Sequence, residues 1–231
     1  ILEIILLANV GLASHNIRSQ VPANIATHCQ FIPNEHLKTQ KYLENINRWT
    51  EENKMMLNEK KTQNMIFNFT KDHQFTSEIT LKNEKLETVN QTKLLGVILS
   101  NDLKWHENTK YIVGKANKKM RMLHKFSKFT KNKSHLMHIY KSQVRASLEY
   151  CSTVWHSSLT LTDCSDIERV QKAAMRVIMG TRYQGYEEAL KFMKIDSLKE
   201  RRVKMALNFA KKSVRQDIFS SLFPLNENVH Q

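Results

Sequence analysis

The spacing of apolar positions changes along the chain, and each change marks an element. "ILEIILLANVGLA" at the N-terminus is a short apolar run that predicts a buried strand or strand-to-helix segment. Residues 14–35 carry no clear period and contain Pro22 and Pro33, so a loop or insertion is expected there. From Leu37 to about Lys54 the spacing is helical, with Leu37, Tyr42 or Leu43, Ile46 and Trp49 three to four apart. Residues 63–69 then alternate, Met65, Phe67 and Phe69 on one side and Asn64, Ile66 and Asn68 on the other, which is the period of a strand. "EITLKNEKLETV" predicts a hairpin turning at Asn83-Glu84-Lys85. "TKLLGVILS" predicts a strand over 92–100, with Gly96 at a bulge or a close backbone approach.

After Trp105 the texture is helical. Ile112, Ala116, Met120, Leu123 and Phe126 form one stripe, and Met137, Tyr140, Val144, Leu148, Cys151 and Trp155 form a second. Ile167, Val170, Ala174 and Val177 form a third, opened by a capping box at Ser165 and Glu168 and closed by Gly180. A last helix starts at another box, Ser197 with Glu200, and runs through Met205 and Phe209 to about Ser213. Trp49, Leu95, Leu123, Tyr140, Leu148, Trp155, Val170, Val177 and Phe209 are the expected core. The fold class that follows is α+β and mostly helical. A small antiparallel sheet is attached to a helix over 36–103, an all-helical bundle spans 104–231, and 1–35 is an irregular lead-in.

Composition agrees with that outline. Only 5 Gly and 3 Pro in 231 residues favour long helices over many short strands. Three cysteines (Cys29, Cys151, Cys164), without a C-x-x-C, argue against a disulfide framework or zinc knuckle and for a reducing compartment. The N-terminal run is too short to span a bilayer and lacks basic residues ahead of it. The chain begins at Ile1 without a Met, which suggests a fragment.

Charge changes the picture most. The formal net charge is +14, which points to a polyanionic partner. Between Lys104 and His135 stand ten Lys or Arg and a single acid, Glu107. Lys104, Lys110, Lys115, Lys118, Arg121, Lys125 and Lys128 are the candidate phosphate contacts. Lys118, Arg121, Lys125 and Lys128 share a face opposite the apolar stripe. An ordinary solvated face is the alternative, but such a face normally mixes signs. A membrane-surface role would need large apolar residues on that free face, so no membrane partner is expected.

Other chemistry is not supported. His135 and His138 lie three apart on one helix without a third ligand at suitable spacing, and His28, Cys29 and His36 sit in or beside a Pro-interrupted loop, so no metal site is expected. Cys151 lies on an apolar stripe and reads as core. There is no G-x-x-x-x-G-K-[ST], G-x-S-x-G or G-x-G-x-x-G, and no small-molecule ligand is expected. The six aspartates (Asp72, Asp102, Asp163, Asp166, Asp196, Asp217) stand apart, each where a loop or helix cap explains it.

The pieces from residue 40 to about 213, taken in order, resemble the C-terminal part of the reverse transcriptase of non-LTR (LINE-type) retrotransposons. They are a helix ending at Trp49, "LNEKKT" before a strand, "KLLGVILSNDLKW", the basic helix, "YKSQVRASLEYCSTVWHSSL", "IERVQKAAMRVIMG" and "YQGYEEALKFMKIDSLKERR". The resemblance implies that the sheet is the back of a polymerase palm and the helices its thumb, which tracks a template–primer duplex. It implies a basic turn that brings Lys61 near the incoming nucleotide, where a lysine neutralises phosphate charge or protonates the leaving pyrophosphate. A solvent-exposed lysine favoured by a helix dipole is the plainer alternative. Leu94, Leu95 and Gly96 match the primer grip, with sheet-core leucines and a bulge glycine as the alternative. The partners implied are RNA and RNA–DNA duplex. The family's paired aspartates precede the region matched and do not occur here, although Mg2+ is expected in the full-length polymerase. The expectation is therefore a catalytically incomplete fragment, or else a basic helical nucleic-acid-binding module that is not an enzyme.

Overall fold

The computed structural model describes residues 2–7, 11–12, 35–67, 78–213 and 215. They fall into two compact units, Ile1–Lys104 and Trp105–Gln231. The first is α+β and the second is helical, so the chain as a whole is mostly helical. The loop expected over 14–35, with His28 and Cys29, lies outside the described residues except for Glu35.

In the first unit, strand β1 (Leu2–Leu7) is followed by β2 (Gly11–Leu12), helix α1 (Glu35–Glu52), β3 (Met55–Met56) and β4 (Thr62–Phe67). Short strands β5 (Thr80–Leu81), β6 (Glu84–Lys85) and β7 (Glu87–Thr88) lead to β8 (Gln91–Leu94) and β9 (Val97–Ser100). The central strand is β4. It pairs antiparallel with β1, Leu2 opposite Phe67 and Leu7 opposite Thr62, and parallel with β7, Gln63 opposite Glu87. The sheet is therefore mixed, where an antiparallel one was expected. The chain passes through the β5–β6 hairpin before it returns alongside β4, so β7 arrives running in the same direction as β4. Met65 and Phe67 are buried with Val89 and Leu99 against them. Leu43, Leu57, Ile79, Leu81 and Leu86 form a second cluster.

Four local expectations in this unit need correction. The β5–β6 turn falls at Lys82-Asn83, both left-handed (φ 50° and 65°), rather than at Asn83-Glu84-Lys85. Asparagine tolerates that region better than most residues. The segment 92–100 is no single strand: β8 and β9 are a hairpin closed by Leu95 and Gly96 (φ 48° and 89°). Leu95, at the tip of that turn, is 61% exposed and belongs to no core. Trp49 is 42% exposed as well, because the buried line of α1 runs through Thr39, Leu43 and Thr50 and leaves Trp49 beside it.

The second unit packs α2 (His106–Phe129) against α6 (Leu161–Met179). Between them come α3 (Lys133–Ile139), a π-helical turn from Tyr140 to Arg145, α4 (Ala146–Glu149) and α5 (Ser152–Trp155). Helices α7 (Tyr186–Met193) and α8 (Leu198–Ser213) complete it. Ile112, Ala116, Met120 and Leu123 of α2 are buried, as are Tyr140, Leu148, Trp155 and Val170. Burying an aromatic of this size is worth a few kcal/mol each, so Tyr140 and Trp155 are major anchors (truncation costs about 3–5 kcal/mol).

The second stripe is not one helix. Cys151 is left-handed (φ 51°) and half-buried rather than core, and the chain kinks there. The Trp155 indole N–H donates to the Tyr150 carbonyl at 3.1 Å and holds the kink. The third stripe begins earlier than expected, at a capping box of Thr160 and Asp163, and not at Ser165 and Glu168. Its stop at Gly180 stands, with φ 57° and ψ −129°, a conformation only glycine adopts without strain. Val177 is only half-buried, because the neighbouring Ile178 takes the inward position. The box at Ser197 and Glu200 is present, with Ser197 N donating to Glu200 at 3.0 Å and Glu200 N donating to Ser197 Oγ at 3.2 Å. Phe209 is 53% exposed, since α8 buries Leu198 and Arg202 in its first turns and leaves residues 207–212 exposed.

Candidate nucleic-acid interface

In the first unit the candidate residues gather at one end of β4 and on the neighbouring hairpin. Asn58 caps a 3-10 turn, Glu59–Lys61, its side chain accepting from the Lys61 amide at 3.1 Å. This turn delivers the chain into β4 with Lys60 and Lys61 both exposed. Two residues on, the Gln63 side chain accepts from the Thr92 hydroxyl at 2.9 Å, which ties the start of β4 to β8. The turn bearing Lys61 and the strand leading to Leu94, Leu95 and Gly96 are thus linked. Leu94 and Leu95 are exposed and Gly96 is half-buried, so the reading of both leucines as sheet core does not hold. A leucine in the left-handed region costs about 1–2 kcal/mol relative to ordinary backbone, and Leu95 recovers little of it through burial. Lys104 is exposed, with Nζ 3.3 Å from Asp102.

In the second unit, α2 carries the rest. Lys110, Lys115, Lys118, Arg121, Lys125 and Lys128 are all exposed. Lys110 is paired with Glu107 at 2.8 Å, one turn back. The others have no ion pair among the described residues. At about 100° per residue, Lys118, Arg121, Lys125 and Lys128 lie opposite the buried line Ile112–Ala116–Met120–Leu123, so the helix separates its core from its charge.

The free face is not purely cationic, and here the expectation fails. Phe126, assigned to the apolar stripe, is 45% exposed, and Phe129 is 87% exposed. Together with Met122 they share a shallow groove of about 530 Å3 with Lys118, Arg121 and Lys125. Phase explains it: the buried line of α2 stops at Leu123, and Phe126 falls on its flank. Aromatic rings among cations offer bases a stacking surface beside phosphate contacts.

The described aspartates are occupied locally. Asp102 accepts from the Lys104 amide at 3.0 Å, Asp166 from Arg169 at 2.6 Å and Asp196 from Lys204 at 2.7 Å. Asp163 is buried; burial opposes its charge, but the Thr160 hydroxyl and amide and His106, whose Nδ1 is 2.9 Å away, outweigh that. They hold its carboxyl below the usual range. No group of three or more His, Cys, Asp or Glu gathers among the described residues, and His135 and His138 are both exposed. No helix among the described residues is long and apolar enough to cross a membrane.

A buried polar network, which the sequence reading missed, holds the second unit together. The Tyr140 hydroxyl donates to Gln171 Oε1. Gln171 Nε2 donates to the Tyr186 hydroxyl at 2.8 Å and to the Asp196 carbonyl at 3.1 Å. Tyr186 in turn donates to Glu168. The Glu168 carboxylate also accepts from the amides of Leu198 (3.1 Å) and Lys199 (3.2 Å), so it caps α8 across the unit instead of its own helix. Burial pushes both tyrosine hydroxyls well above their usual range, Glu168 adding to the effect at Tyr186. Gln171 stands at the inward position beside Val170 and before Ala174, and a glutamine there is the signal that was available.

No protein-family model matches the chain, and neither the curated proteins nor the solved structures compared with it gave a match.

Proposed function

We propose that this chain is the end-of-palm and thumb portion of a non-LTR retrotransposon reverse transcriptase, incomplete as a catalyst, that grips a template–primer through its backbone. The observation that carries the reading is the β8–β9 turn. An exposed, left-handed Leu95 followed by Gly96 costs stability and contributes little to a core, which is what a tip shaped for contact requires. The basic helix follows directly in sequence, as the thumb does in that family. In this reading Leu94, Leu95 and Gly96 steady the primer strand, Lys61 screens phosphate charge, and Lys118, Arg121, Lys125 and Lys128 contact the sugar-phosphate backbone. Such contacts add affinity and salt dependence with little sequence preference.

Phe126 and Phe129 favour a second reading of the same helix, a basic binding module outside any polymerase whose aromatic rings stack on single-stranded bases. One titration separates the two. Fluorescence anisotropy with an RNA–DNA duplex and with single strands, at several salt concentrations, should give duplex binding with a slope of about −0.9 in log affinity against log salt per phosphate engaged on DNA-like backbone. Replacing Lys118, Arg121, Lys125 and Lys128 together by Gln should flatten that slope while leaving the fold intact. An unchanged slope would reduce the basic face to a solubility device. Tight single-strand binding that Phe129→Ala abolishes would favour the second reading. Primer extension by the purified chain with Mg2+ and nucleotides would overturn the claim of incompleteness.

A further inference from the structure

A second basic site lies in the helical unit, apart from the outward face of α2. The turn after α2 presents Lys131 and α3 opens on Lys133, while the last turn of α6 carries Arg176 and the turn after it, which starts at Gly180 (φ 57°), presents Arg182. Together they line a cavity of about 1110 Å3. Thr181 and Phe192 stand on its wall, and no carboxylate lines it. None of these cations has an ion pair among the described residues.

Lys133 is the telling member. Its Nζ is shielded from solvent and has no hydrogen-bond partner among the described residues, its neighbour being the face of Phe192 with the centroid 4.7 Å away. A ring face attracts an ammonium but accepts none of its hydrogen bonds fully, so a desolvated ammonium there lacks an anion. Arg176 is stiffened by lying over the Tyr183 ring, 5.6 Å from its centroid. A guanidinium so held is suited to the paired oxygens of a phosphate.

We propose that this cavity binds a run of consecutive phosphates, either a free polyphosphate chain such as that of a nucleoside triphosphate or a stretch of nucleic-acid backbone. Four cations without a single acid match several negative charges close together, and a lone carboxylate or sulfate would leave most of them unanswered. The site is independent of the polymerase reading, since it uses neither the β8–β9 tip nor the outward face of α2.

Isothermal titration of the whole chain with inorganic tripolyphosphate at low salt tests it. Saturable one-site binding is expected. Lys133→Met, which keeps the stem over Phe192, and Arg182→Gln should each weaken it roughly tenfold, the factor for one charge-assisted hydrogen bond. The quadruple α2 variant should bind tripolyphosphate as the parent does. Because Arg182 is exposed, its variant keeps the test decisive even if Lys133→Met disturbs folding. With the quadruple α2 variant, a labelled single-stranded oligonucleotide that binds and is displaced by tripolyphosphate identifies the ligand as backbone, and one that fails to bind identifies it as a free phosphate chain. Absence of saturable binding, equal binding by both cavity variants and the parent, or equal loss in the α2 variant would overturn the proposal.

Discussion

Gln171 offers the sharpest test of how the helical unit holds together. Replacing it by Leu keeps a side chain of similar size on the same inward position and removes both ends of the amide. The Tyr140 hydroxyl, on a side chain with 0% exposure, then loses its acceptor and is stranded. That alone costs about 1–3 kcal/mol. The Asp196 carbonyl and the Tyr186 hydroxyl each lose a donor, but both are only part-buried, so together they add about 1 kcal/mol. The expected loss is therefore about 2–4 kcal/mol. Adding Tyr140→Phe removes the stranded hydroxyl, and the double variant should be about 1–2 kcal/mol more stable than Gln171→Leu alone. Urea unfolding followed by far-UV circular dichroism and by tryptophan fluorescence measures each corner of the cycle. If Gln171→Leu costs under about 1 kcal/mol, or the two substitutions simply add, the network is not what ties α6 to α7 and the π turn.

Two further outcomes follow from local geometry. Leu95→Gly relieves a left-handed leucine at about 1–2 kcal/mol and gives back about 0.5–1 kcal/mol of chain entropy, so thermal unfolding of the first unit should show a net gain, with weaker duplex binding if the tip is a contact. Stabilisation with undiminished binding would remove the tip from the interface. Asp163 is held below its ordinary value of 3.8, so the stability it contributes is present above that value and is lost as pH falls through the lower folded value. Asp163→Asn should lower stability at neutral pH and make the acid limb of a pH–stability curve shallower, which denaturation at stepped pH would reveal.

The stripes of α2 and α6 were legible because burial there follows one helical phase for four or more turns. Legibility failed where residue type and phase disagree. Trp49 and Phe209 were assigned to the core because each sits on an apolar stripe, yet Thr39 and Thr50 take the inward positions of α1, and α8 buries an arginine, Arg202, with 0% exposure. Its guanidinium Nε donates to His156 Nδ1 at 3.4 Å, and burial lowers its pKa. No apolar pattern announces a buried arginine. The Leu95-Gly96 turn carries only half of the usual Asn-Gly signature, so the hairpin read as one strand. Of the two Ser/Thr-x-x-Asp/Glu spacings near the start of α6, tertiary contact decided: Asp163 closes the box with Thr160, and Glu168 serves α8. The cations of the α2 face were legible because like charges without acids need no packing partner to be seen, but the exposed Phe126 and Phe129 among them were not.

The π-helical turn from Tyr140 to Arg145 gives this bundle slack in chain length. In an α-helix, removing one residue rotates everything downstream by about 100° and turns a buried line to solvent. A π turn already closes with one residue more than an α turn. Losing Lys141 or Ser142, both exposed, would tighten it to α-helix while Leu136 before it and Leu148 after it keep their inward faces. Insertions and deletions between homologous chains should therefore collect at this turn, and a one-residue deletion there should be the mildest in the second unit.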